Sequence, residues 1–315
     1  MRRLLPLLLL LPLFAAAPPA HAAGAVLVMN SGEASLSVID MTTRQELKRI
    51  PVLREPHHNM LTPDHKELLV GDTVGNELLA FDPTTLELKR RIPIADPYQI
   101  GFSPDAKFFV VNGLARAQVD LYDPATFKLI KRFPLKSMPS HMAFAPDSSA
   151  VFITLQGTAK LAAIDLKTLT VRWIAETGPA PAGVLWNRGK LLVANMGADD
   201  VWVIDPATGK TERKIRTGKG AHQLFPSPDG KLLYVNNRID STSVVLDATT
   251  LNQVRSYKLP GGPDDIEFAP DGRVWFTLRF VHKLAVLDPA TGTFETIAVG
   301  RSPHGIFLNA KADPK

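Results

Sequence analysis

The sequence predicts an all-β fold, a seven-bladed β-propeller with a composite closing blade. Three observations predict it: a short motif that returns seven times, strand-length runs between its returns, and termini that start and stop at complementary points of the repeat. The motif is two apolar positions, Asp, two variable residues and Thr. Its aspartates are Asp40, Asp82, Asp123, Asp165, Asp205, Asp247 and Asp288, with spacings of 42, 41, 42, 40, 42 and 41 residues. A threonine stands three positions after each, at Thr43, Thr85, Thr126, Thr168, Thr208, Thr250 and Thr291. A period of about 40–45 residues with four strands per unit marks a propeller blade.

In chain order, the first segment is expected to be an export signal. Arg2 and Arg3 precede an apolar run from Leu4 to Phe14, and Ala20-His21-Ala22 forms a small-x-small cleavage site. Residues 1–22 are then removed, and residues 23–315 form the propeller. A membrane anchor is disfavoured because Pro6 and Pro12 interrupt a run already shorter than the roughly 20 residues a spanning helix needs. The expected location is periplasmic or secreted.

Within each unit the Asp-x-x-Thr motif is a hairpin corner. Asp at the first position accepts hydrogen bonds from backbone ahead of it, and Pro83, Pro124, Pro206 and Pro289 at the second preset φ for a turn. A second corner recurs at Pro63-Asp64, Pro104-Asp105, Pro146-Asp147, Pro228-Asp229 and Pro270-Asp271, with Asn187-Arg188-Gly189 replacing it once. Runs such as Phe108 to Val111 and Leu232 to Val235, rich in β-branched and aromatic residues and bounded by breakers, read as strands. The mature N-terminus begins in a second strand, Ala25 to Met29, and the C-terminus ends in an inner strand, His304 to Leu308. The two partial units therefore make one blade, which leaves no open edge between the ends.

Composition removes several chemistries. There is no cysteine, so disulfides, thiolate metal sites, C-x-x-C-H haem attachment and cysteine nucleophiles are excluded. With 36 basic and 31 acidic residues the net charge is +5, and loss of Arg2 and Arg3 leaves +3, spread along the chain. Nucleic-acid binding, which needs clustered positive charge on one face, is not expected.

The stretch Pro228-Asp229-Gly230-Lys231-Leu232-Leu233-Tyr234-Val235-Asn236-Asn237, followed by Val244-Val245-Leu246-Asp247, resembles the YVTN-type β-propeller repeat of exported bacterial and archaeal proteins. Leu191 to Asn195 with Val201 to Asp205, and Phe108 to Asn112 with Val119 to Asp123, repeat the frame, and the resemblance covers residues 25–308. More distantly the plan is similar to the haem-binding propeller domain of periplasmic nitrite reductases, which places histidines at the mouth of the ring. That domain has eight blades and an attached cytochrome c domain; here seven units stand alone. The resemblance implies fold rather than function, because its motifs are turns and strands.

Both corners lie at one end of the ring, so the variable links into the inner strands build the other end, the expected mouth. Aligning these links puts His57, Tyr98, Ser140, Ala182, His222, Asp264 and His304 at one position and His58, Gln99, His141, Gly183, Gln223, Asp265 and Gly305 at the next. His222, Asp264, Asp265, His304, His57 and His58 come from four consecutive blades and form one arc, with Arg238, Asp240, Arg279, His282, Glu33 and Asp72 nearby and Arg116 and His141 elsewhere on the rim. The expected ligand-binding residues are His57, His58, His141, His222, Asp264, Asp265, His304, Arg238 and Arg279. Imidazole with carboxylate suits zinc, copper or iron, so His57, His222 and His304 are candidate metal ligands, for a transition metal or a haem-like ring. The competing account is that histidines at strand entry only bond neighbouring backbone.

The resulting functional expectation is an exported binding or scaffold protein, a monomer, using the mouth for a small molecule, a metal or haem-like cofactor, or a periplasmic protein partner. The alternative is a propeller enzyme, a lactonase-like hydrolase or a cofactor-dependent redox accessory. No G-x-S-x-G nucleophile motif is present to favour it.

Overall fold

A computed structural model describes residues 24–314; the expected export signal over residues 1–22 lies outside the described residues. Twenty-eight strands form seven four-stranded antiparallel sheets around one axis. The inner strand of blade one is Pro303–Asn309, which pairs antiparallel with Ala25–Asn30 and so joins the two ends of the chain in one sheet. The inner strands of blades two to seven are Pro56–Leu61, Gln99–Phe102, Pro139–Phe144, Pro181–Asn187, Ala221–Pro226 and Pro263–Phe268. No helix among the described residues is long and apolar enough to cross a membrane.

The alternation of the strands explains the packing. In Ala25–Asn30, Val26 and Val28 pack toward blade seven with Trp275 and Leu284, while Leu27 and Met29 pack toward blade two with Leu68 and Phe81. A blade is buried on both faces, so its central strands read as near-continuous apolar runs. Seven such interblade cores close the ring.

The corners work through their aspartates. Asp247 Oδ1 accepts the backbone N–H groups of Thr249 and Thr250 at 3.0 and 2.7 Å, and the next residue, Leu251, takes a left-handed φ of 59°. Such bonds hold the carboxyl of Asp82 down at about 2, through Thr85 N–H first, then Lys89 and Thr84 N–H. The aspartates of this motif are therefore fastenings of the turn. In blade five Asn187-Arg188-Gly189 replaces the Pro-Asp corner by a two-residue turn with φ of 48° and 81° at Arg188 and Gly189, the signature of a type I′ hairpin.

Candidate functional site

In six blades the register between the inner strand and its neighbour slips within the first residues of the inner strand. A bulge breaks the strict alternation of side chains and re-aims them. That is why His57 and His58, adjacent in sequence, both sit in the imidazole cluster at the centre of the ring. Polar residues in the second strands fix the bulged entries of the next blade. Asn112 Nδ2 donates to Ser140 O, Thr154 Oγ1 to Ala182 O, Asn236 Nδ2 to Asp264 O and Thr277 Oγ1 to His304 O, at 2.7–2.9 Å.

Five imidazoles meet there, none more than 6% exposed. The ring centroids of His57 and His304 are 3.8 Å apart, and His58 lies 4.6 Å from each. His141 bridges across the axis, 5.1 Å from His222 and 5.2 Å from His58. Sequence places His141 apart from the arc, and the structure brings it in. It reaches the axis beside blade five, where Ala182 and Gly183 take up little room. Gly183 itself is needed, because a Cβ there would come within 2.7 Å of Gln223 Cα and His222 O. Donor atoms of His57, His58 and His304 all lie within 4.8 Å of one another. Among these groups of three, His58 stands where the sequence places His222.

His222 turns instead to Asp264, its Nδ1 2.9 Å from Oδ1 but not in line for a directed hydrogen bond. Asp264 is the hub of the site and is wholly buried. His304 Nδ1 lies 2.6 Å from its Oδ2, Arg238 Nε donates to Oδ1 at 2.7 Å, and Arg279 Nη1 donates to Oδ2 at 3.1 Å. Burial alone would raise its pKa, but Arg238, His304 and His222 hold it well below the usual carboxylate range. The imidazoles shift the other way. Burial pushes His58 and His222 down to about 4, and His57, His141 and His304 well below 6.5.

The neutral rings have assignable tautomers. A carboxylate only accepts, so His304 carries its proton on Nδ1. Tyr98 O also only accepts, so His58 Nδ1, 2.7 Å away, is the donor, and His57 Nδ1, 2.8 Å from the same nitrogen, presents a lone pair. The Nε2 atoms of His58 and His304 then carry lone pairs, and both are buried without a protein partner, as is His141 Nε2. Ligating histidines commonly take this form, with the far N–H given to a carboxylate or a backbone carbonyl.

The cavity that reaches this layer lies farther along the inner strands, on the corner side of the ring, and not at the mouth. It measures about 260 Å³ and is lined by His58, Asn59, Gln99, Gln223, Asp265 and Glu267 among others. Burial raises Asp265 well above its ordinary range, with Asp264 adding repulsion, and pushes Glu267 up to about 7. Tyr98, Gln223 and Glu267 are site neighbours that sequence reasoning does not single out. The first two stand in the aligned axis positions, which is the signal that could find them.

The remaining rim residues hold loops. Asp72 accepts the N–H groups of Arg54, Glu55 and Gly75 at 2.8 Å, Asp240 that of Lys219 at 2.7 Å, and Glu33 that of Arg301 at 2.8 Å. His282 Nδ1 accepts from Ser302 N–H at 3.2 Å, and Arg116 donates to Asn76 Oδ1 at 3.1 Å.

Comparison with known proteins agrees with the fold. A family model for YNCE-like beta-propellers matches residues 3–314. No curated protein matches the chain. Among solved structures, dihydro-heme d1 dehydrogenase NirN in complex with DHE is similar with a TM-score of 0.69 and 15% identity over 95% of this chain and 77% of that one. A functionally unknown protein from Desulfotomaculum acetoxidans is similar with a TM-score of 0.76 and 15% identity over 92% and 99% of the two chains. Pseudomonas aeruginosa periplasmic gluconolactonase, PpgL, is similar with a TM-score of 0.72 and 18% identity over 90% and 98%. At these identities the likeness concerns the fold alone.

Proposed function

The chain belongs to the YNCE-like β-propeller family, and we propose that this member is an exported binding protein that holds a transition-metal ion among the imidazoles at its axis. The observation that carries the reading is the pair of buried, unpartnered Nε2 lone pairs of His58 and His304, whose opposite nitrogens are already committed to Tyr98 O and Asp264. His57 or His141 supplies a third nitrogen. Borderline ions that favour imidazole, zinc, copper, nickel or iron, fit this donor set. Asp264 orients His304 and balances the ion's charge, while Arg238 and Arg279 keep that carboxylate ionised.

A haem-like ring fits less well here. The cavity at His58 is about 260 Å³, under the roughly 300–1,000 Å³ of pockets that take drug-sized molecules. Export is supported by the leader's composition and by the likeness to a periplasmic gluconolactonase.

The test is calorimetric titration of EDTA-treated mature protein with Zn²⁺, Cu²⁺ and Ni²⁺, with metal analysis of protein purified from the periplasm. The expected result is one ion per chain at micromolar affinity or tighter, weakened at least tenfold in His58→Ala and His304→Ala. Absence of micromolar binding, or affinity untouched by both variants, sinks the reading.

A further inference from the structure

At the aligned position that holds His58 and His141, other blades supply oxygen instead of nitrogen: Gln99, Gln223 and Asp265. The axial cavity of about 260 Å³ is lined by His58 and Asn59 of blade two, Gln99 of blade three, Gln223 of blade six and Asp265 and Glu267 of blade seven. Asp265 and Glu267 stand two apart on one inner strand, and both line the cavity. Asp265 is 7% exposed, and its Oδ1 is buried without a partner, as is Gln223 Oε1 on the neighbouring inner strand. Among the described residues neither Asp265 nor Glu267 has an ion-pair partner, because the nearby guanidinium groups of Arg238 and Arg279 are turned to Asp264. Asn59 Nδ2 is committed to Ile306 O at 3.0 Å, which leaves its Oδ1 as an acceptor.

We propose that this cavity, which borders the imidazole cluster at His58, is a second site that takes a hard divalent cation of the Ca²⁺ class through Asp265, Glu267 and Gln223 oxygens, with water completing the shell. Acceptor oxygens gathered in a buried space need something positive among them. A proton satisfies one oxygen; a divalent cation satisfies several at once. Calcium takes 6–8 oxygens in flexible geometry and accepts carboxylate, amide and water together, whereas magnesium demands near-ideal octahedral geometry. A cavity of this size also holds several waters at about 30 Å³ each. The inner strands are rigid, so the site is fixed by the fold and not by a flexible loop.

The two proposals differ in their donors, and the experiment keeps them apart. EDTA-treated mature protein is titrated with Ca²⁺ by calorimetry at constant ionic strength, in parallel with Asp265→Asn, Glu267→Gln and His304→Ala. Thermal melting establishes that each variant is folded. One Ca²⁺ per chain is expected, with affinity at least tenfold weaker in both carboxylate variants, unchanged in His304→Ala, and stronger than for Mg²⁺. No Ca²⁺ binding at 1 mM, binding indifferent to Asp265→Asn and Glu267→Gln, or binding lost in His304→Ala each overturns the proposal. If the oxygens are satisfied by a proton alone, Asp265→Asn melts at or above the parent temperature and neither protein binds Ca²⁺.

Discussion

Acidification from pH 7 to pH 5 should destabilise the EDTA-treated protein by about 4 kcal/mol, and the figure follows from two opposed sets of buried groups. The five axial imidazoles have pKa values depressed by burial, so over this range they stay neutral in the fold while the unfolded chain takes up protons. Each loses at most about 2 kcal/mol of stability between pH 7 and 5 when its unfolded pKa is near 6.5, at most roughly 9 kcal/mol in all. Asp265 and Glu267 act in the other direction, because their folded pKa values are raised and the fold keeps protons the unfolded chain has released. Two pH units cap a single-proton effect at about 3 kcal/mol, and Glu267, with a folded pKa of about 7, contributes about 2. These two acids return at most about 5 kcal/mol, and the upward shifts of Glu55, Glu77 and Asp96 oppose the loss further without reversing it, so the imidazoles win. Asp264 does not enter this window: its folded pKa is depressed, so its contribution is lost only below the ordinary carboxylate range. Urea unfolding followed by tryptophan fluorescence at pH 7, 6 and 5 measures the change, and melting should fall by about 10 °C or more. Glu267→Gln should steepen the loss by about 2 kcal/mol and His141→Ala should flatten it by a similar amount. Stability that is constant or rises on acidification refutes the assignment of neutral axial histidines.

Other consequences can be measured directly. Asp264→Asn leaves Arg238 and Arg279 without their buried counter-charge and should cost about 3–5 kcal/mol, read as a fall in urea midpoint at pH 7. The same variant should weaken transition-metal affinity about 10–100-fold, because His304 loses the group that orients it. Gly183→Ala places a methyl against Gln223 Cα and His222 O and should cost about 1–3 kcal/mol, with altered metal affinity; wild-type behaviour in both assays would contradict the close approach of the two inner strands. Asp247→Ala removes the corner acceptor of Thr249 and Thr250 and should lower the melting temperature slightly without changing metal binding.

How far the sequence speaks depends on whether the chemistry is local. Corner aspartates and their threonines act within a few residues, so the seven units and the strand phase of Ala25–Asn30 against Pro303–Asn309 follow from spacing alone, and with them the adjacency of His304 and His57. What sequence does not reveal is the bulge at six of the inner-strand entries. Strict alternation would send His57 and His58 to opposite faces, whereas the slipped register brings both to the axis. The reach of His141 across the ring depends on side-chain room beside Ala182 and Gly183, which spacing cannot report. Asp264 reads as one more polar residue of the arc until its four partners are seen. The Asn and Thr residues that tie blade to blade carry a visible signal, since Asn112, Thr154, Asn236 and Thr277 all occupy the same place late in a second strand.

A polar axis in a fold whose interfaces are otherwise apolar calls for a physical reason. Each buried donor or acceptor left without a partner costs about 1–3 kcal/mol, and three imidazole nitrogens, a carboxylate oxygen and an amide oxygen bear that cost here. Apolar side chains at these bulged positions would remove it, as Ala182 does in blade five. The orphaned atoms also divide by type around the axis, with nitrogen lone pairs on His58, His141 and His304, and oxygens on Asp265 and Gln223, which face the cavity beside His58. Packing requirements alone give no reason for that division, since any polar residue of suitable volume would fill the space. Cation selectivity does give one: imidazole discriminates for borderline transition metals, and carboxylate with amide discriminates for hard cations. The bulge that turns consecutive residues of one strand inward thus lets a single ring of strands present two kinds of donor side by side.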